Sequence, residues 1–415
     1  MMAKEHYIAG IDIGTHSVRV VQVKLEPETE PAVVGAVSVP AAGLRRGVVV
    51  DLDEAVTSIS SALEKVERMT GVPVTGALVS VGGAHMACLT SRGVIAVSKA
   101  DGEVTEADIV RVIDAAQAVS IPSNREVLHV IPKTFVLDGQ EGIKDPLGMT
   151  GVRLEVETTI VHGSSPLIKN MQRVCSQAGL QVDELVVGPL AAATAVLSRK
   201  QKELGVVLVD IGAGTTSIAV YEENTLLHTA VLPLGGLHIT NDLAIGLRTS
   251  IDTAERVKIL YGHANPDSVD KHVTIDLSKL DESETEQVDR REVVEIIEAR
   301  LGEIFEYVNK ELKLINRDGK LPAGVVLVGG TANLPGIAEY AKSALRLPAG
   351  RGQLQGLRTI IDRVDDPSFA VVCGLVLWSS AFATASAGGF GSSARRLLEN
   401  PNMLKLKRWF KSFLP

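Results

Sequence analysis

Asp12 and Asp210 are the residues best placed by their surroundings to do chemistry. Each is followed by Ile-Gly and then by small hydroxyl side chains. Residues 7–23 read YIAGIDIGTHSVRVVQV, and residues 205–221 read GVVLVDIGAGTTSIAVY. A third motif, GVVLVGGTANLPG at 324–336, ends an apolar run on Gly329-Gly330-Thr331. Phosphates are held by backbone N–H donors, and glycine removes the side chains that would block them. Thr15, Ser17, Thr215, Thr216 and Ser217 add hydroxyl donors. An aspartate beside a phosphate is repelled unless a cation lies between them. Asp12 and Asp210 therefore point to Mg2+ held through water, since Mg2+ gives up its own water reluctantly. Aspartates at strand turns also act simply as turn caps. One Asp-Ile-Gly alone carries little weight; two copies and a third glycine motif carry much more.

The elements that must position these residues follow from hydrophobic pattern. Both Asp-Ile-Gly copies read as hairpins: a buried strand, a tight glycine turn and a returning strand. The second copy is expected to carry two extra turn residues, Ala213 and Gly214. The repeat implies two similar α/β halves that face each other. Between them, residues 85–163 read as a small inserted α/β subdomain. It has strand-like runs at 93–98, 127–137 and 152–162, and a helix over Ile109–Val119 started by a capping box of Thr105 and Asp108. Leu237–Leu247, Ile251–Tyr261 and Glu292–Leu314 read as helices, the last with apolar residues at helical spacing. The acidic stretch 281–289 reads as a solvated loop. Phe369–Ala387 carries no charge and is close to the minimum for crossing a bilayer. Its serines, threonine and many alanines favour a helix buried in a globular core.

Composition narrows the class. A chain of 415 residues suggests two to four domains. Aromatics are only 3%, so the core must come from Val, Ile, Leu and Ala. The net charge of −8 disfavours a whole-surface nucleic-acid binder. Cys88, Cys175 and Cys373 show no ligand spacing, which disfavours a zinc module or a disulfide scaffold. The opening MMAKEHYIAGIDIG lacks the pattern of a secretory signal. Residues 386–402 read as a flexible linker. The last residues, MLKLKRWFKSFLP, put Leu406, Trp409, Phe410, Phe413 and Leu414 within about 140° of helical arc. Lys405, Lys407, Arg408 and Lys411 occupy the other face. That composition is expected of an interfacial membrane helix, although a helix docked on a protein groove shares it.

The two hairpins and the Gly-Gly-Thr strand end resemble the phosphate and adenosine motifs of the actin, heat-shock-chaperone and sugar-kinase superfamily. Residues 131–157 (IPKTFVLDGQEGIKDPLGMTGVRLEVE) and 233–262 (PLGGLHITNDLAIGLRTSIDTAERVKILYG) resemble the FtsA family of bacterial actin-like cell-division proteins. The resemblance implies an actin-like ATPase fold: two similar α/β halves around a nucleotide cleft, an inserted α/β subdomain and a C-terminal amphipathic helix. The halves would be 1–84 with 164–197 and 365–385, and 198–236 with 317–364. Residues 85–163 would be an interaction insert, 237–316 a helical subdomain over the nucleotide, and 403–415 the membrane helix.

The resemblance also implies ATP and Mg2+ as cofactors. Asp12, Gly14, Thr15 and Ser17 would meet the phosphates from one side; Asp210, Gly212, Gly214, Thr215 and Thr216 would meet them from the other. Asp210 would be the catalytic carboxylate, and both aspartates would serve the metal. Gly236, Glu255, Lys258, Gly329, Gly330 and Thr331 would hold the nucleoside. Gly188–Ala193 and Ala370 with Gly374 would be the two connecting helices, their small residues allowing a close crossing. The implied partners are the C-terminal peptide of the tubulin-like protein FtsZ, further copies of the chain in filaments, anionic lipids and other division proteins, with no nucleic acid. Arg291, Arg300 and Glu303 would be peptide contacts. The implied location is the cytoplasmic face of the membrane at the division site. One departure concerns hydrolysis. Actin carries a water-orienting polar side chain on its first connecting helix, and Leu190–Val196 offers only Thr194, so at most weak ATPase activity is expected. A metabolic kinase or phosphatase of the same superfamily is the alternative. It lacks support from any further acid–base constellation, and it has no use for the basic tail. A pilus-biogenesis relative is a third, without a reason for the tail.

Overall fold

The computed structural model describes residues 6–387, apart from 27, 28, 271 and 360. The expected tail, with Leu406, Trp409 and their neighbours, and the linker from 388 onward lie outside the described residues. The chain opens with β1 (His6–Ile13), β2 (Ser17–Leu25) and β3 (Ala32–Pro40), an antiparallel meander. A two-residue ladder of β4 (Leu44–Arg45) and β5 (Val48–Val49) leads into α1 (Leu52–Thr70). Asp51 caps α1 by accepting from the Asp53 and Glu54 amides, and Gly71 ends it in the left-handed conformation. β6 (Gly76–Val81) returns parallel to β1.

The insert follows: β7 (Ala87–Ala96), α2 (Glu106–Gln117), β8 (Arg125–Leu137), β9 (Gln140–Ile143) and β10 (Arg153–Ser164), in sheet order β7-β10-β8-β9. It has its own core, in which Ile109, Val112 and Ile113 of α2 meet Phe135, Leu154 and Val156 of the sheet. The capping box forms, with Thr105 accepting from the Asp108 amide and Asp108 accepting from the Thr105 amide. It starts α2 at Glu106, three residues before the expected Ile109.

α3 (Ser165–Gln177) and β11 (Gln181–Val187) complete the first sheet, order β11-β6-β1-β2-β3. α4 (Gly188–Val196) and α5 (Arg199–Leu204) lead to β12 (Val206–Ile211), β13 (Thr216–Glu222) and β14 (Thr225–Leu232). Then come α6 (Gly236–Gly246), α7 (Ile251–Tyr261), a short ladder of β15 (Thr274–Asp276) and β16 (Gln287–Asp289), and α8 (Arg290–Leu314). β17 (Gly324–Val328), α9 (Ile337–Leu345) and β18 (Ala349–Arg351) finish the second sheet, order β14-β13-β12-β17-β18. Strand for strand, it repeats the first, with the same parallel and antiparallel pairings. The acidic stretch is not all loop, because Val288 turns inward and its strand pairs with β15.

α10 (Ala370–Ala387) is the last described element and runs two residues into the expected linker. No described helix is long and apolar enough to cross a membrane. The first residues of α10 are buried instead against α4 in a core shared by both sheets. The crossing is tight: a Cβ on Gly374 would lie 1.8 Å from the Ala191 carbonyl oxygen, and one on Gly10 of β1 would lie 2.9 Å from the Val372 carbonyl oxygen. Small residues at this crossing are therefore a steric requirement.

The hairpin register corrects one expectation. Ile13 pairs with Val18 and Ile211 pairs with Thr216, and the turn bonds are Gly14 N–H to the Ser17 carbonyl and Gly212 N–H to the Thr215 carbonyl. Both turns therefore have four residues, and Ala213 and Gly214 are not insertions. Matching hydroxyls by type put the two copies out of step. Matched by hydrogen bonds, Thr216 corresponds to Val18, a strand residue, not to a turn hydroxyl.

The crossing yields a stability test. Gly374→Ala should lower the thermal midpoint, since overpacking of this kind costs about 1–3 kcal/mol. Gly188→Ala should be nearly neutral, because a Cβ there meets nothing closer than 3.9 Å. Thermal denaturation of both variants measures the contrast.

Candidate functional site

The two hairpin turns and the ends of β6 and β17 face each other across a cavity of ≈ 370 Å³. From the sequence-derived set, Asp12, Gly14, Thr15, Ser17, Asp210, Gly212, Gly214, Thr215, Gly236, Glu255, Lys258, Gly329, Gly330 and Thr331 all line it. Thr216 does not. It is fully buried in β13, and its hydroxyl donates to the Leu234 carbonyl at 2.8 Å, so its role is to hold the approach to α6. Ser217, the next strand residue, lines the cavity in its place.

The glycines are required by close approach. Gly329 sits at φ +86°, and a Cβ there would lie 2.4 Å from the Asp210 carboxylate and 2.5 Å from the Ile211 carbonyl oxygen. A Cβ on Gly236 would lie 2.4 Å from the Thr331 hydroxyl. Gly330 is the opposite case, with nothing within 4 Å of its Cβ position. The Gly212 carbonyl accepts from the Gly236 amide at 2.9 Å and from Thr331 Oγ1 at 3.3 Å, which ties the turn to α6 and to the end of β17. From α7, Lys258 Nζ donates to Thr240 Oγ1 at 2.8 Å, to the Gly236 carbonyl at 3.1 Å and to Glu255 at 2.6 Å. Burial draws the Lys258 ammonium below its usual range. Burial alone would raise Glu255, but Lys258 and the Thr240 hydroxyl outweigh it and hold the carboxylate low.

The aspartates are the electrostatic centre. Asp12 accepts from Ser80 Oγ at 2.6 Å and faces Arg19 at 3.9 Å. Burial still raises its pKa, since Arg19 and Ser80 compensate only in part. Asp210 is pushed up to about 7, first by burial and then by the charge of Asp12, with Arg19 opposing. A half-buried carboxylate whose pKa is pushed up to about 7 is short of positive charge. A divalent cation fits that deficit. Among the described residues no group of three or more His, Cys, Asp or Glu side chains could hold a metal alone. Two carboxylates beside backbone donors match a cation bound largely through water and phosphate oxygens.

Pattern reading passed over several lining residues. Ser80 and Arg19 flank Asp12, and the Ser17 hydroxyl and Arg19 Nε are buried with no hydrogen-bond partner among the described residues. Gly82 and Gly83 also line the cavity. A signal for them existed: VSVGG at 79–83 matches VLVGG at 326–330, on the strands that correspond in the two sheets. On α8, Arg300 makes a two-pronged pair with Asp242 of α6 at 2.6 and 2.9 Å and also pairs with Glu303. Arg291 pairs with Glu295 at 3.0 Å and with Asp267 at 3.4 Å. These three candidate peptide contacts lie away from the cavity and are engaged within the chain.

Comparison with known proteins adds likenesses of three kinds. Two family models match: FtsA, a cell division protein, over residues 207–374, and the SHS2 domain inserted in FtsA over 83–162. The cell division protein FtsA of Pseudomonas aeruginosa is 36% identical over 407 residues, which is 97% of this chain and 97% of that one. Among solved structures, the PilM-PilN type IV pilus biogenesis complex has a TM-score of 0.63 at 17% identity, covering 89% of this chain and 97% of that chain. MreB5 of Spiroplasma citri bound to ADP has a TM-score of 0.53 at 13% identity, covering 92% and 99%. At such identities these two show a shared fold, that of the actin-like ATPases.

The state of Asp210 makes cation binding pH-dependent. Binding a divalent cation must displace the proton held up to about 7. Affinity for any divalent cation the cavity takes should therefore rise as pH increases, by up to about tenfold per unit below 7, and level off above it. The ligand-free chain should behave oppositely, losing stability as pH rises from ~4 through ~7, because its folded carboxyl prefers to stay protonated. Titration calorimetry across this range, in buffers of differing ionisation heat, counts the released proton.

Proposed function

The chain belongs to the FtsA family of cell division proteins, and from that premise we propose that it is an ATP-dependent, self-associating tether that holds FtsZ at the cytoplasmic face of the membrane. It is an actin-like cell-division protein. The observation that carries the nucleotide reading is the mirrored pair of hairpins, which brings Asp12, Asp210 and the glycine turns to one cavity. The amides of both turns suit the phosphates, while Gly236, Lys258, Glu255 and the Gly329–Thr331 segment suit the nucleoside. Asp12 and Asp210 would hold Mg2+ through its water. The cation supplies neutralisation of phosphate charge, and Ser80 and Arg19 fix the Asp12 carboxylate on its side.

Self-association is assigned to the insert at residues 85–163, and the FtsZ peptide to the block at 237–316. Among the candidate contacts, Glu303 is the more exposed partner, while Arg300 would have to leave Asp242 to receive an acidic peptide. Lipid binding is assigned to residues 403–415. Five large apolar side chains gain ~1.5–3 kcal/mol each when fully buried. Interfacial burial is partial, however, and ordering the backbone costs ~1–2 kcal/mol per residue. Four cations add roughly 1 kcal/mol each at an anionic surface. One tail therefore binds weakly and reversibly, and a polymer carrying many binds firmly through effective concentration.

Two experiments test this reading. Gly330→Val fills open space in the protein, so it should fold normally and lose ATP affinity; unchanged affinity in calorimetry removes the adenosine assignment. Vesicles of graded anionic content should pellet the full chain with ATP but not a chain ending at Asn402. Trp409→Glu should behave like the truncation, and equal pelleting of all three shows that the tail is not the anchor.

A further inference from the structure

Away from the cleft, three reactive side chains from three elements meet at the seam between the insert and the second half. Cys88 of β7 lies with Sγ 3.3 Å from His228 Nδ1 of β14. His228 Nε2 lies 2.8 Å from Glu311 Oε2 of α8. With Glu311 accepting the Nε2 proton, Nδ1 presents its lone pair to the thiol. A backbone hydrogen bond from Thr229 and the charge of Lys133 on β8 also favour a thiolate. Lys133 itself pairs with Glu157 at 3.2 Å. Cys88 is half-buried, whereas Cys175 and Cys373 are buried.

We propose that Cys88 is a thiol–disulfide exchange site whose thiolate is generated by His228 and oriented through Glu311, and that its substrates are low-molecular-weight disulfides. His228 Nδ1 takes the Cys88 proton. The thiolate electron pair attacks one sulfur of the disulfide, a new S–S bond forms to Cys88, and the old S–S bond breaks. The leaving thiolate carries away the electron pair and takes up a proton. Cys88 is oxidised and half of the incoming disulfide is reduced. Nothing else in the chain changes oxidation state.

Charge state supports the geometry. Burial works against the Cys88 thiolate, but the bond and charge of His228 outweigh it and bring the thiol below its ordinary range. His228 is raised, with burial opposed by Cys88 and Glu311. Burial pushes the Cys175 thiol up to about 12 and raises Cys373 as well. Only the thiolate attacks a disulfide, so the three cysteines should differ widely in rate. The site also has a structural consequence. Other side-chain bonds across this seam are Thr159 Oγ1 to the Leu226 carbonyl at 3.1 Å, Thr225 Oγ1 to the Lys133 carbonyl at 3.5 Å and the ion pair of Lys144 with Glu203 at 3.7 Å. A mixed disulfide on Cys88 replaces the Cys88–His228 contact with a bulky substituent.

The test uses the full native chain and oxidised glutathione, with intact mass and peptide mapping as readout over pH ~5 to ~9. One glutathionyl group should add, at Cys88, with the rate inflecting below the ~8.5 of a free thiol. His228→Gln should move the inflection back toward ~8.5 and slow reaction near pH ~6 on the order of tenfold. Glu311→Gln should shift it less, and in the same direction. Cys88→Ser should abolish addition while keeping the wild-type melting profile. Two results overturn the proposal: adduct formation at Cys175 or Cys373 at the Cys88 rate, or a pH profile unmoved by His228→Gln.

Discussion

Asp12 and Asp210 come from different sheets and share one cavity, each half-buried, with Arg19 as the nearby guanidinium. Burial raises the pKa of both, and the charge of Asp12 raises Asp210 further, to about 7. The rest of the fold is arranged around keeping these two groups face to face. Each sits at the end of the first strand of its sheet, directly before a four-residue glycine turn. In the second sheet the parallel neighbour ends in Gly329-Gly330, where a side chain on Gly329 would strike the Asp210 carboxylate; in the first, Ser80 of the parallel neighbour donates to Asp12 directly. A ligand that brings positive charge and phosphate oxygens relieves this arrangement, and one that brings neither gains little from it.

Bringing two sheets that close requires thin material between them. α4 and α10 supply it, with Ala191, Ala192, Ala193 and Gly374 at the contact. Dense packing without side-chain interdigitation at Gly374 allows two backbones to touch, and such a contact has few alternative arrangements. At this crossing the backbones meet with no room for a side chain at Gly374.

Much of this was legible in the sequence, and the reasons for the exceptions are physical. The repeated Asp-Ile-Gly and the Gly-Gly-Thr strand end were readable because backbone approach to a ligand leaves glycines in a fixed order. The insert's helix start was readable because Thr105 and Asp108 can satisfy each other's amides at only one spacing. Thr216 misled because hydroxyl type says nothing about hairpin register, which the turn hydrogen bonds decide. Ser80 and Arg19 were passed over because they reach Asp12 only through strand pairing, Arg19 across the hairpin and Ser80 from the parallel neighbour. Arg300 looked available as a charge on a helix face; its partner Asp242 lies on α6, which no spacing rule on α8 could reveal.

The first connecting helix bears on what the cleft is suited to do. Only its first turn reaches the cavity, through Gly188 and Pro189. Thr194, its polar residue, donates to the Leu190 carbonyl at 3.1 Å instead. Phosphoryl transfer to water depends strongly on positioning the attacking water, and α4 contributes no side chain for that. Binding places a different demand on the same residues. A ligand held by turns from both sheets favours whichever arrangement of the halves closes on it, by the difference in its affinity for the two arrangements. The insert belongs to the first half in chain order yet is bonded to β14 of the second through Thr159 and Cys88. That seam therefore connects the insert to the second half independently of the α4–α10 crossing. A cleft closed by turns from both sheets couples ligand occupancy to the arrangement of the halves, which suits a protein whose proposed task is to assemble and hold.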